Sequence, residues 1–231
     1  MTCIVGALLP ALLFLGSCSG IHQAREATPT GFLEDYSQLS PGDSGQALLT
    51  YTNPRTNFSQ YSQIMLDPIR VYPGQGDSEL ASLPPDDLLK LVNYFDATLR
   101  ETLSEQFVFT NAAGPNTMRV RVAITEGESA NVPIDLVSSV MPIGMALSSL
   151  KSLATGSAAA VGSIGVEFEA LDAWTGERLA ASVDKQVGDK FTGKFDKFNE
   201  WRTAQEAFDH WAEQLNDRLL VLRRNGSPSM P

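Results

Sequence analysis

Apolar side chains recur at helical spacing in two long stretches of the chain. The second stretch, about 199–224, carries an unbroken stripe at steps of three and four residues: Trp201, Ala204, Phe208, Trp211, Leu215, Leu219 and Leu222. The first opens with Pro84-Pro85-Asp86-Asp87, prolines and acids that suit a helix N-terminus. Its stripe consists of Leu88, Val92, Phe95, Leu99 and Leu103. The pattern predicts two amphipathic helices, each of which buries one face.

Apolar and polar residues alternate elsewhere, which predicts strands. Residues 118–125 and 166–171 follow a two-residue period, and Asp172-Ala173-Trp174-Thr175-Gly176 is expected to turn the chain into a partner strand over 177–187. Because Glu167 and Glu169 lie two residues apart on one strand, we expect them to form its solvated side.

Two further segments complete the predicted sheet. Residues 107–110 form a short strand, and residues 61–72 form a strand that is interrupted or ended at Asp67-Pro68. The order of elements predicts an α+β fold: a mostly antiparallel sheet of about four to five strands with two main amphipathic helices packed on one face.

The chain begins like a secreted protein. Residues 4–16 are apolar and too short to span a bilayer, and they end in Leu15-Gly16-Ser17-Cys18. This tetrapeptide resembles the lipobox of bacterial lipoproteins, which implies cleavage before Cys18 and acylation of its sulfur. The segment Met1-Thr2-Cys3 departs from the pattern because it lacks the usual basic residue. Ser19 in place of Asp implies passage to the outer membrane, with the domain facing the periplasm.

The domain organisation follows from these signals. Residues 1–17 are interpreted as a lipoprotein signal peptide, 18–30 as a tether, 31–225 as a single α+β domain and 226–231 as a disordered tail. Three residues near the start of the domain are expected to pin the chain to its surface: Phe32, Leu33 and Tyr36.

The composition of the chain excludes several kinds of binding site. The formal net charge of -10 argues against nucleic acid, whose binding needs clustered Lys and Arg. The only cysteines are Cys3 and Cys18, so the mature chain can form neither an internal disulfide nor a Cys-based zinc site. The only histidines are His22 and His210, and we predict no catalytic residue, no cofactor and no metal.

Several short motifs together resemble an uncharacterised family of bacterial lipoproteins, a domain of unknown function called DUF3313. The matching residues are Gly31-Phe32-Leu33 with Tyr36 and Leu39, Asp67-Pro68, Val132-Pro133, Gly162, Glu167-Phe168-Glu169, Asp172 with Thr175-Gly176-Glu177, Trp201 and Trp211. The resemblance spans roughly residues 31–222 and implies a lipoprotein, but it supplies no activity.

A basic and aromatic stretch is one candidate contact surface. Lys190, Phe191, Lys194 and Phe195 interleave just before the last helix and could touch anionic lipid or the cell wall. Alternatively, the phenylalanines pack as the lead-in to that helix while the lysines are solvated. The frame Gly188 to Lys194 imitates a phosphate-binding loop, but Phe195 stands where Ser or Thr must hold magnesium.

The segment 136–166 is a second candidate, because it carries a single charge, Lys151, among small and apolar residues that include Met141 and Met145. It could be a flap over an apolar pocket, a segment on the bilayer surface, or a core-packed helix and loop.

Three functions remain open. The leading hypothesis is a non-catalytic binding or assembly accessory that docks an envelope protein or a cell-wall component. The alternative is a carrier of a small apolar ligand under residues 136–166. The third is a hydrolase that uses Glu167 and Glu169 as paired carboxylates.

Overall fold

The computed structural model describes residues 21–72, 79–125, 163–188 and 197–226. Over these ranges, strands of two to eleven residues precede and separate two long helices. The strands are β1 Ile21–Gln23, β2 Ser40–Pro41, β3 Leu49–Thr52, β4 Gln63–Leu66, β5 Arg70–Tyr72, β6 Val108–Phe109, β7 Thr117–Thr125, β8 Ser163–Asp172 and β9 Arg178–Gly188. The helices are α1 Glu79–Ser82, α2 Pro85–Ser104 and α3 Lys197–Asn225, with a 3-10 turn at Phe58–Gln60.

The strands of the described residues form one mixed, mostly antiparallel sheet in the order β2-β3-β9-β8-β7-β4-β6. Strand β1 also pairs with β9, and β5 also pairs with β7. The α+β class is therefore confirmed, but nine strands replace the predicted four to five. The additional strands have two to four residues, too few for an alternating pattern to reveal them.

Strand β7 has parallel partners on one side. Both β4 and β5 run parallel to it, with the Asp67-Pro68 interruption between them. The chain then returns through α2, since parallel neighbours need a crossover connection. The interruption was predicted, but the parallel pairing was not.

Both long helices pack on one face of the sheet, as predicted. The apolar stripe of α2 meets that of α3 in a single core, where the rings of Phe95 and Phe208 are stacked at 4.4 Å between centroids. The indole of Trp211 is 1% exposed and lies 6.3 Å from the Phe95 ring, measured between centroids. Aromatic pairs of this kind each contribute about 0.5–1.5 kcal/mol beyond their burial.

The opposite face of the sheet is covered by residues 30–39, which we call the strap. Phe32 and Leu33 are buried there against Ala123, Ala181 and Val183, so the predicted pinning of these two side chains is confirmed. The Phe32 ring also stacks edge-on against Tyr72 and lies under the guanidinium of Arg121 at 4.9 Å.

Part of the predicted tether is attached to the sheet. Residues 21–23 form β1 and pair with residues 186–188 of β9. The amide of Ala24 donates to the carbonyl of Lys185, and Thr30 is buried. Between Cys18 and the first strand, only residues 19 and 20 remain.

Several predictions fall on residues that the structure leaves undescribed: the signal peptide, Cys18, Met141, Met145, Lys190, Phe191, Lys194, Phe195 and residues 227–231. Within the described ranges, no helix combines the length and apolarity needed to cross a bilayer.

Candidate functional site: a polar groove along the last helix

Two adjoining clefts form a groove between α3 and the edge of the sheet. The first cleft has a volume of about 490 Å³ and the second about 450 Å³. They share five lining residues: Gly45, Gln46, His210, Glu213 and Gln214. We call this combined feature the α3 groove.

One wall of the groove is the outward-facing side of α3. Its apolar stripe turns inward, which leaves the intervening polar positions to line the groove: Glu206, Asp209, His210, Glu213, Gln214, Asp217 and Arg218. The acids recur at steps of three and four residues and therefore share one side of the helix. Arg218, the single Lys or Arg among the lining residues of the two clefts, donates to Oγ1 of Thr52 at 3.3 Å.

The opposite wall comes from β1 and from residues 42–48. Gln23 and Gln46 contribute amide side chains, and Nε2 of Gln214 reaches across to donate to the carbonyl of Gly45 at 3.2 Å. Gly45 has a φ of +82°, a conformation that favours glycine. A Cβ on Gly42 would lie 2.1 Å from the carbonyl oxygen of Ala47, so this bend also requires glycine.

Asp184 holds the two walls together from beneath the groove. It is 1% exposed, and four donors reach its carboxylate. Oδ1 accepts from Nε2 of Gln23 at 2.7 Å and from the amide of Leu48 at 3.2 Å. Oδ2 accepts from Nε1 of Trp211 at 2.8 Å and from Nε2 of Gln186 at 3.3 Å. A buried carboxylate needs such partners, and these bonds connect β1, the loop before β3 and α3 through one side chain.

The groove suits non-covalent binding of a donor-rich or cationic ligand. Its polar lining consists largely of carboxylates and amides, and its second cleft adds apolar surface from Phe168, Leu215 and Val221. In the described part of the chain, no three His, Cys, Asp or Glu side chains are grouped so that they could hold a metal ion.

The prediction that Glu167 and Glu169 form the solvated side of β8 is wrong, because Glu167 is fully buried and Glu169 is 3% exposed. Strap residues cover Glu167: Oε1 accepts from the amide and the hydroxyl of Thr30, both at 2.8 Å, and Oε2 accepts from the hydroxyl of Tyr36 at 2.6 Å. Burial raises the pKa of Glu167 despite these hydrogen bonds. It also raises the pKa of Tyr36 to about 12, to which the bond to Glu167 adds.

Glu169 lies between two guanidinium groups. Arg121 donates to its Oε2, and Nε of Arg178 donates to its Oε1 at 2.7 Å. Arg178 also donates to the carbonyls of Leu33 and Asp35, so this ion pair clamps the strap. All four oxygens of Glu167 and Glu169 therefore accept from protein donors, and both carboxylates connect the strap to the sheet.

The β8–β9 hairpin has the predicted construction. Gly176 has a φ of +76°, and Oδ1 of Asp172 accepts from the amides of Trp174 and Thr175. The hydroxyl of Tyr61 donates to Oδ2 of Asp172 at 2.8 Å. Burial alone would raise the pKa of Asp172, but these hydrogen bonds lower it overall. Trp174 remains 73% exposed on this braced turn.

An apolar cavity of about 70 Å³ lies between α3 and the sheet, lined by residues that include Met118, Phe168 and Leu219. The space is far smaller than an ordinary ligand pocket of about 300 Å³ or more. The segment 136–162 of the carrier hypothesis lies outside the described residues.

The α3 groove was missed at the level of sequence. His22 falls in the predicted tether and His210 on the predicted last helix, yet both line the first cleft. The available signal was the spacing of Glu206, Asp209 and Glu213 on one side of the last helix. That spacing predicts an acidic side of the last helix, but no local sequence pattern indicates which other segment of the chain faces it.

A model of a family described as "Protein of unknown function (DUF3313)" matches residues 28–215. The chain belongs to the DUF3313 family. This DUF3313 chain is 27% identical over 186 residues to the uncharacterized lipoprotein YdcL of Escherichia coli K12, covering 80% of this chain and 81% of YdcL. The protein of the same name from Escherichia coli O157:H7 matches equally.

Solved structures give weaker similarities to the DUF3313 chain. A PelC dodecamer from Paraburkholderia phytofirmans (its L103M form) has a TM-score of 0.38 at 13% identity, covering 72% of this chain and 94% of that one. A putative lipoprotein from Caulobacter crescentus CB15 has a TM-score of 0.32 at 11% identity, covering 75% and 96% respectively.

Proposed function

We propose that the protein is an envelope lipoprotein, acylated on Cys18 and carried to the outer membrane, whose periplasmic domain is a non-catalytic binding or assembly module. The lipobox around Cys18 and the lipoprotein name of the YdcL relatives support the anchor. The observation that carries the proposal is the position of β1. It starts at Ile21, three residues after Cys18, and is paired into the sheet, so the folded domain begins at the site of lipid attachment.

The strand register supports one orientation of the domain on the membrane. Ile21 pairs with Gly188, and Thr125 pairs with both Gly165 and Tyr72. These positions all lie at one end of the sheet, the end that carries β1. Strands β7 and β9 therefore end, and β8 begins, at that end of the sheet, next to the undescribed stretches 126–162 and 189–196.

The two contact surfaces predicted from the sequence fall in these undescribed stretches and are part of the proposal. Met141 and Met145 belong to the first stretch, and Lys190, Phe191, Lys194 and Phe195 belong to the second. Basic and aromatic residues close to an acyl anchor add electrostatic and apolar attraction to an anionic lipid surface. We propose that both stretches face the lipid, while the α3 groove provides the binding surface for a partner.

Metabolic labelling with an alkyne fatty acid tests the anchor. The native chain and Cys3→Ala should carry label, because Cys3 lies in the leader, whereas Cys18→Ala should carry none and should leave the membrane fraction. Label that persists in Cys18→Ala would refute the proposal.

Density-gradient fractionation tests the destination: the native chain should sediment with outer membrane, and Ser19→Asp should shift it to inner membrane.

A further inference from the structure

We propose that the α3 groove binds an extended, basic peptide segment of a partner protein, with Lys or Arg side chains alternating with apolar ones. This inference rests on the proposed binding function and names its partner class. It is carried by the shape of the groove, by its unequal charge and by its apolar section.

The shape fits a short extended chain. The lining of the groove runs along α3 from Glu206 to Val221. Fifteen helical steps correspond to about 22 Å, the length of about seven residues of extended peptide. The bonds from Asp184 to both walls hold the groove open in advance, which lowers the entropic cost of binding.

The charges select a cationic partner. Four carboxylates line the two clefts, on Glu206, Asp209, Glu213 and Asp217, and the single guanidinium, on Arg218, is directed to Thr52. Glu213 and Asp217 are exposed one turn apart, at the junction and in the second cleft. Oδ1 of Asp209 already accepts from the hydroxyl of Tyr94 at 2.9 Å, so lysine or arginine side chains placed along the groove would pair chiefly with Glu213 and Asp217.

The apolar section of the groove favours a peptide over a simple cation as the ligand. Beyond Glu213, the groove includes the side of Leu215 and the 39% exposed side chain of Val221. Successive side chains of an extended peptide point to opposite sides, so a basic residue can face α3's acids while its neighbour points to the side of the cleft lined by Ala47 and Phe168.

The test uses the full-length acylated protein in detergent micelles and a fluorescent heptapeptide of alternating Lys and Leu. Fluorescence anisotropy should show saturable binding that weakens as salt increases. The double substitution Glu213→Lys with Asp217→Lys should reduce affinity about tenfold or more. The matched control is Glu101→Lys with Glu105→Lys, at exposed positions in the last turn of α2 and at its C-cap; it adds the same charge and should change affinity about twofold or less.

Equal weakening by the two double substitutions would show attraction to net charge alone and would overturn the proposal. Equally tight binding of a Glu and Leu heptapeptide, or absence of saturable binding, would also overturn it. Glu213→Gln with Asp217→Asn provides a milder test with less risk to the fold. Fatty-acid labelling and membrane fractionation of the same variants should remain native, so failure of the groove is distinguishable from failure of the lipoprotein assignment.

Discussion

The hydroxyl of Tyr36 donates a 2.6 Å hydrogen bond to Oε2 of Glu167, a side chain that solvent does not reach. This bond joins the strap to the centre of the sheet across 131 residues of sequence. The strap is thus held by a polar contact as well as by the burial of Phe32 and Leu33.

Replacing Tyr36 with Phe should lower the free energy of unfolding by about 1–3 kcal/mol, because one oxygen of buried Glu167 loses its donor. Urea denaturation measures the change. Tyr51→Phe is the matched control: Tyr51 packs beside the same apolar cluster, and its substitution should cost less than about 0.5 kcal/mol. Equal effects of the two substitutions would contradict a specific role for the Tyr36 bond.

Glu167 should make the protein less stable as pH rises. Its pKa in the folded state lies above the ordinary value of 4.5, so between these two values the folded chain binds more protons than the unfolded chain. The contribution is complete below pH 4.5 and is lost as pH rises through the folded pKa. Urea midpoints across this range should show a downward slope that Glu167→Gln removes. A slope unchanged in the variant would assign the effect to another group.

Asp172 should act in the opposite direction. Its pKa in the folded state lies below the ordinary value of 3.8, so its stabilisation is present above pH 3.8 and is lost as pH falls through the folded pKa. Asp172→Asn should therefore be less sensitive to acid over that interval, as thermal unfolding at successive pH values would show. Identical acid sensitivity in both proteins would argue against the turn as the source.

Removal of the Trp211 donor should weaken the base of the α3 groove. Trp211→Phe retains an aromatic ring but leaves Oδ2 of Asp184 with Gln186 as its remaining partner, and we expect a loss of about 1–3 kcal/mol in urea denaturation. Trp174→Phe is the control, because Trp174 is 73% exposed, and it should change stability by about 0.5 kcal/mol or less. The reverse ranking would contradict the assigned role of Asp184.

Gly165 should not tolerate a side chain. An added Cβ would lie 2.4 Å from Oγ1 of Thr125 and 3.3 Å from the carbonyl of Asp184, so Gly165→Ala should cost about 1–3 kcal/mol. Removing the hydroxyl by Thr125→Ala should relieve part of that cost. A double-mutant cycle measures the coupling, and strictly additive losses would exclude a direct clash.

The helices were predictable because each buries one face and leaves a 3.6-residue period in the sequence. Phe208 and Trp211 belong to such a stripe, and both are buried as expected. Glu167 could not be assigned correctly by the same reasoning. Its partners Thr30 and Tyr36 are more than 130 residues away, and the alternation in β8 is the same whether its second face meets water or a strap.

The groove shows the same limit. The helical spacing of Glu206, Asp209 and Glu213 was visible in the sequence, but their meeting with His22 depends on β1 pairing with β9. A three-residue strand at the start of the domain carries almost no periodic signal. Parallel pairing of β4 and β5 with β7 is non-local in the same way.

Under the proposed acylation of Cys18, the early start of β1 limits how far the domain can move from the bilayer. Three chain steps separate Cys18 from Ile21, a reach of at most about 11 Å. A domain tethered this closely to its lipid anchor would rotate and diffuse in the plane of the leaflet. Unlike a domain on a long flexible linker, it would not reach molecules far from the membrane. On this proposal, a partner would meet the domain at the bilayer.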